Sequence, residues 1–421
     1  MTARVHTLAN GVRVAFDPMP ELETLALSVV VDGGARWEPK ERSGWSHMLE
    51  HMVFKGAGER SSRDIVEDIE AAGAQINAAT GYERTSFQVR ALKNDLSLGL
   101  SIVSDLLFRP RLDPEELERE KDVIAEEIAE AFDTPDDYVF DLLQAKAFPD
   151  QPLGRPILGS TESLAPARRD TLDAWRRALY APERMVISLA GAADEDLLLK
   201  EAERWFGSEP VSGDRAAAPP STFGGGTAAE TRRIEQANLV WALPAPSICD
   251  PDYFAVRLFT EILGGGMASR LFQEAREARG LAYSIDAWSE TYEDIGMLGV
   301  FAGAQPGKAA ALSQLVADQI RGLAEAATDR ELARAKAQVK AAQFMGLEQP
   351  LSRAEVTANR LFLFGRPLDE QEVLRQIDGV GHDDLKRVGE RMLEPRKSAA
   401  AVLGPRTAAG APDVFSRALF G

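Results

Sequence analysis

The strongest constraint on the fold is that the chain repeats itself. "PEELEREK" (114–121) resembles "DRELARAK" (329–336), with Leu117, Arg119 and Lys121 matching Leu332, Arg334 and Lys336 at an offset of 215. "PERMVISLAG" (182–191) resembles "PRKSAAAVLG" (395–404), with Pro182 and Gly191 matching Pro395 and Gly404 at an offset of 213. Two anchors at nearly one offset point to a duplicated domain. Between the copies lies "PVSGDRAAAPPSTFGGGTAAE", rich in Pro, Gly, Ala and Ser, which reads as a linker. The expected organisation is therefore domain 1–209, linker 210–230 and domain 231–421. Each half runs from apolar strands ("TLALSVVVDGG"; "ANLVWALPA") through a helix to another strand ("RTSFQVRAL"; "MLGVFAGAQ"), then long helices and a closing strand. Without a regular βαβ rhythm, this favours α+β halves, each an antiparallel sheet with helices packed on one face.

Charge and composition narrow the function classes. A net charge of −18 argues against nucleic-acid binding, which needs basic surface. No apolar run approaches the roughly 20 residues that span a bilayer, so no membrane role is expected. The N-terminus reads as a turn, Asn10-Gly11, between strand-like residues rather than as a signal peptide. With one cysteine, Cys249, no intrachain disulfide can form. The expected location is cytoplasmic.

Two of the four histidines fall in "GWSHMLEHMVFKG" (44–56). Read as a helix capped by Ser43 and followed by Gly56, this stretch projects His47, Glu50 and His51 from one face. Imidazoles at i and i+4 suit one Zn²⁺ ion, and the carboxylate between them can take a proton from water. The pattern is H-x-x-E-H, the inverse of the commoner order. A catalytic zinc needs a third protein ligand. Cys249, His6 and His382 have no motif context. The helix expected in "LDPEELEREKDVIAEEIAEAF" (112–132) is a better source: Asp113 caps it, Pro114 fits its first position and Glu116 completes a capping box. Its apolar stripe is Leu117, Ile124 and Ile128. Glu126 lies opposite that stripe, whereas Glu120 and Glu127 lie along its edge. Geometry thus selects Glu127 or Glu120 as an inward carboxylate, and leaves open which.

These stretches resemble the pitrilysin family of zinc peptidases, which includes insulin-degrading enzyme and the mitochondrial processing peptidase. The resemblance covers almost the whole chain, through "LANGVRV", "GARWEPKERSGWSHMLEHMVFKG", "AAGAQINAATGYERTSF", "EREKDVIAEEIAEAFDTPDD", "PLGRPILGS", "YAPERMVISLAG" and "ILGGGMASRLFQEAREARGLAYSI". It implies a zinc endopeptidase holding one zinc per chain through His47, His51 and Glu127, with Glu50 as base and Glu120 as a supporting acid. It also implies that Arg276 and Tyr283, in the second half, donate to the oxyanion. "INAAT" (76–80) would pair with extended peptide substrate, with Asn77 and Ala78 as contacts. The offset of 215 sets Ile262 and Gly266 opposite the two histidines and Ala342 opposite Glu127, so the second copy has no ligands. Two-domain relatives enclose substrate between subunits. This implies a homodimer here, or a heterodimer in which a homologous partner supplies the Arg/Tyr pair. Two other readings are a non-catalytic scaffold subunit, disfavoured by the complete motif, and a small-molecule lyase sharing the motif, which would need a cysteine ligand on a shorter chain.

Overall fold

In a computed structural model the described residues are 3–213 and 217–421, so positions 214–216 of the expected linker lie outside them. Eight strands occupy the first half: β1 (Arg4–Thr7), β2 (Arg13–Pro18), β3 (Thr24–Val31), β4 (Gly56–Ala57), β5 (Arg60–Ser61), β6 (Gln75–Thr80), β7 (Thr85–Leu92) and β8 (Met185–Gly191). Five follow: β9 (Gly226–Thr231), β10 (Ala237–Ala245), β11 (Ala282–Thr291), β12 (Gly296–Ala304) and β13 (Ala399–Gly404). One sheet runs β1-β2-β8-β3-β7-β6, the other β11-β12-β10-β13-β9, and β4 pairs with β5 alone.

The two large sheets share one wiring. β8 pairs parallel with β2 and antiparallel with β3; β13 pairs parallel with β9 and antiparallel with β10. β7 joins β3 to β6 as β12 joins β10 to β11, all antiparallel. The expected α+β fold of two duplicated domains is therefore present, with one parallel pair in each sheet. Gly11, with φ of 93°, turns the chain between β1 and β2, where Leu8 N–H donates to the Val12 carbonyl over 2.8 Å.

The two compact units are not continuous stretches of chain. One comprises residues 1–128, 156–219 and 344–370, the other 129–155, 220–343 and 371–421. Each half thus sends a helix to the other half's sheet. In the first unit, the Pro350–Phe364 helix sets Ala358 and Leu361 against Ala15, Val30 and Val186 of the sheet. Arg353 makes a two-pronged ion pair with Asp17, over 2.7 and 2.8 Å, and fixes the helix there. The other sheet face carries the main core, where Leu27, Val29, Phe87 and Ile187 meet Met48, Leu49 and Leu100. Strands covered on both faces need apolar residues at nearly every position, which is why β8 ("MVISLAG") is buried throughout. In the second unit, the Pro135–Ala147 helix fills the equivalent place, burying Val139 and Leu143 and setting Phe140 within 5.6 Å of Phe301 and 5.2 Å of Trp288. No helix among the described residues is long and apolar enough to cross a membrane.

Candidate metal centre

The motif forms the helix Trp45–Val53. Its buried side is Trp45, Met48, Leu49, Met52 and Val53, which leaves His47, Glu50 and His51 half-buried on another face. The expected cap is corrected. Gly44 adopts φ of 88° at the helix start, and Ser43 makes no side-chain cap. The left-handed turn aims the first N–H groups at the buried carboxylate of Glu38 instead, which accepts from Gly44 N (2.8 Å) and Ser46 N (2.7 Å). A Cβ at position 44 would lie 2.5 Å from the Leu158 carbonyl oxygen, so the turn needs glycine.

The acidic stretch forms the helix Pro114–Asp133. Asp113 caps it through the N–H groups of Glu115 (2.8 Å) and Glu116 (3.4 Å). The Glu116 side chain takes the guanidinium of Arg119. Leu117, Glu120 and Ile124 are buried, Glu127 is half-buried and Glu126 is exposed, as the helical period requires.

The two helices bring the predicted side chains together. Glu127 Oε1 lies 3.6 Å from His51 Nε2, and Glu127 Oε2 lies 3.8 Å from His47 Nε2. Among the described residues these three form a group whose ligand atoms all lie within 4.8 Å of one another. Ligands held about 2.1 Å from a tetrahedral zinc stand about 3.4 Å apart, so the opening suits one such ion after small adjustment. Three buried atoms here lack hydrogen-bond partners: His47 Nδ1, Glu50 Oε2 and Glu127 Oε2. Buried polar atoms are seldom left so unless something else binds them.

Protonation also fits. The Nδ1 of His51 lies 3.0 Å from Glu120 Oε2. An ionised carboxylate only accepts, so Nδ1 carries the hydrogen and Nε2 offers its lone pair. Burial and the neighbouring His51 hold the His47 pKa down to about 4, so its imidazole is neutral and able to ligate at neutral pH. The two candidate carboxylates of the acidic helix are thus told apart: Glu120 meets Nδ1 of His51, and Glu127 faces Nε2, whose lone pair is open.

Three residues not anticipated from the sequence complete the surroundings. Glu38 caps the helix, and Lys55 Nζ meets Glu120 Oε1 at 2.6 Å. Tyr180 is buried, and its phenol is pushed far up by burial and by the charge of Glu50, so it stays neutral. A cation one turn past the motif was the available signal for Lys55; Glu38 and Tyr180 carry none, because their contacts depend on chain folding.

Asn77 and Ala78 lie on β6, the last strand of its sheet, opposite Gln88 and Phe87 of β7. Asn77 is exposed and Ala78 is buried. The His47 helix packs on this strand, and Thr80 Oγ1 donates to the Ser46 carbonyl over 3.4 Å. In the second unit Arg276 stands in the π-helical turn Phe272–Ala278, half-exposed, with its guanidinium 4.8 Å from the Phe272 ring centre. Tyr283 is 53% exposed on β11, the edge strand equivalent to β6. The ladder skips from Ala282 to Ser284, so Tyr283 is the extra residue of a bulge, a device that re-aims a side chain.

The second copy offers no ligands, but the match to the motif shifts. Strand pairing equates Ser28 with Val240, an offset of 212, which sets Phe259 and Leu263 opposite the histidines. Both are buried in the helix Tyr253–Gly264, whereas Gly266 falls beyond its end. Loops of unequal length explain the drift. Ala342 lies in the Asp329–Leu347 helix. His6 pairs with Glu195 and His382 with Asp329, each away from the centre. Cys249 is exposed.

Comparisons with known proteins show the family of the chain. The family model described as insulinase, peptidase family M16, matches residues 13–161, and that described as the peptidase M16 inactive domain matches residues 166–339. A zinc protease of Bacillus subtilis, YmxG, is 33% identical over 403 residues, which cover 95% of this chain and 98% of that protein. A zinc protease of Mycobacterium tuberculosis, Rv2782c, is 34% identical over 411 residues, covering 96% and 94%. Among solved structures, a protease from Helicobacter pylori matches with a TM-score of 0.88 at 21% identity, covering 96% of this chain and 99% of that one.

Proposed function

We propose, from the premise that this chain belongs to the insulinase family of peptidases (peptidase family M16), that it is a zinc-dependent endopeptidase. The substrates would be peptides or unfolded segments. The observation that carries the reading is the convergence of His47, His51 and Glu127 at 3.6 and 3.8 Å beside an unpartnered buried oxygen of Glu50. Those three residues would hold one zinc per chain, which would supply Lewis acidity and make a nearby water more acidic. Glu50 receives the proton of the attacking water and passes it to the leaving amine. The exposed edge of β6, with Asn77 and Ala78, binds extended peptide through main-chain hydrogen bonds, which make little sequence demand. Arg276 and Tyr283 donate to the carbonyl oxygen as charge develops there.

Assembly is part of the proposal. The chain carries both the metal ligands and the Arg276–Tyr283 pair, so a homodimer enclosing substrate in a chamber needs no other subunit. A heterodimer with a homologous partner supplying the Arg/Tyr pair is the alternative. We place the protein in the cytoplasm, on the strength of its single cysteine.

The test combines metal analysis with cleavage of a mixed peptide library, read by mass spectrometry. Wild-type protein should contain zinc and cleave. Glu50→Gln should keep zinc and bind peptide, but cleave more slowly by about 10²–10⁴-fold. Metal loss in that variant would make Glu50 a ligand, and an unchanged rate would remove it as the base.

A further inference from the structure

Glu120 is 3% exposed, yet its two carboxylate oxygens are divided between two cationic or hydrogen-bearing partners. Oε2 accepts from His51 Nδ1 at 3.0 Å, and Oε1 meets Lys55 Nζ at 2.6 Å. The Lys55 backbone is held on both sides. Its N–H donates to the Met52 carbonyl over 3.2 Å, in the last turn of the motif helix. The next residue, Gly56, has φ of 126°, and its carbonyl accepts from Arg111 N over 2.9 Å. A Cβ at position 56 would meet Arg111 Cδ at 3.0 Å and the Arg60 carbonyl at 3.3 Å, so this turn is built for glycine. The lysine side chain, about one-third exposed, therefore starts from a fixed point and reaches the buried carboxylate.

A desolvated carboxylate is costly without a paired cation. With Lys55 in place, both oxygens of Glu120 are engaged and the carboxylate cannot turn. Its grip on His51 Nδ1 then decides which imidazole nitrogen bears the hydrogen and which faces His47 and Glu127. Without the lysine, Glu120 keeps one partner and gains by swinging toward water, which releases the ring.

We propose that Lys55 is a positioning residue of the metal centre: through Glu120 it fixes the orientation and tautomer of His51, and so sets how tightly the site holds zinc. This rests on the zinc-peptidase reading above. Lys55 touches neither substrate nor metal in this role, so its effect is on metal retention rather than on turnover of the loaded protein.

The experiment measures zinc affinity by chelator competition in wild type, Lys55→Met, Lys55→Gln, Glu120→Gln, the Lys55→Met/Glu120→Gln double variant and His47→Ala. Lys55→Met and Lys55→Gln should bind zinc about 10–100-fold more weakly. The double variant should be no weaker than Glu120→Gln alone, because both substitutions cut one chain of contacts. With zinc in excess, kcat of Lys55→Met should return to the wild-type value. In metal-free protein, ¹⁵N NMR of the His51 ring should show the Nδ1–H tautomer in wild type and a mixture in the Lys55 variants. Affinity within twofold of wild type in both Lys55 variants, strict additivity with Glu120→Gln, or an unchanged His51 tautomer would overturn the proposal. If wild type and His47→Ala bind zinc equally weakly, the zinc reading itself fails. If only His47→Ala loses zinc, that reading stands and the role of Lys55 alone is rejected.

Discussion

Glu127 Oε1 and His51 Nε2 lie 3.6 Å apart although they sit on separate helices, one supplying two imidazoles and the other a carboxylate. The next residue along, Glu126, points to solvent. Glu127→Gln should therefore lose most bound zinc, while Glu126→Gln keeps wild-type content. Metal analysis after dialysis checks this. Equal loss in both variants would remove Glu127 as a ligand.

The helix that carries the histidines starts on Glu38. Its buried carboxylate accepts from two N–H groups at once, Gly44 and Ser46. Glu38→Ala should leave those donors without an acceptor and cost about 1–3 kcal/mol, seen as a lower thermal midpoint in metal-free protein. Ser43→Ala should cost clearly less, because Ser43 does not cap the helix. A reversed order would restore Ser43 as the cap.

Asp141, on the helix that packs against the second sheet, has its pKa pushed up to about 6 by burial and by the nearby Asp137. The folded chain then holds this proton more tightly than the unfolded chain, whose aspartate has a pKa of about 3.9. Stability therefore falls as pH rises through that window, and the full cost is present above pH 6. Asp141→Asn should stabilise the protein at pH 7.5 by about 2 kcal/mol, and the gain should shrink as pH is lowered toward 4. Thermal midpoints of both proteins across that range decide the matter. A gain independent of pH would assign the effect to something other than the charge.

The assembly proposal predicts complementation. Glu50→Gln and Tyr283→Phe should each be nearly inactive alone. Mixed dimers should regain up to one intact site, formed by the metal centre of the Tyr283→Phe chain and the Tyr283 of the other. If exchange of subunits is demonstrated and activity stays absent, each site is built within one chain. Wild-type protein that cleaves only after a homologous subunit is added would favour the heterodimer.

Much of the candidate metal centre is legible in the sequence because helical geometry is local. Spacings of three and four residues put His47, Glu50 and His51 on one face whatever the helix packs against, and the same period turns Glu126 outward and Glu120 and Glu127 inward. The duplication is legible for a similar reason, since the order of strands and turns is written along the chain. Periodicity alone could not divide the work between Glu120 and Glu127, because both lie on one edge of one stripe. That division came with the packing of two helices, which set one carboxylate against His51 Nδ1 and the other against Nε2. The same holds for Glu38 in place of Ser43, for Lys55 on Glu120, and for the two helices exchanged between the sheets. Such contacts join residues far apart in the chain, and each is selected by the summed burial and hydrogen bonding of a whole core rather than by any local preference.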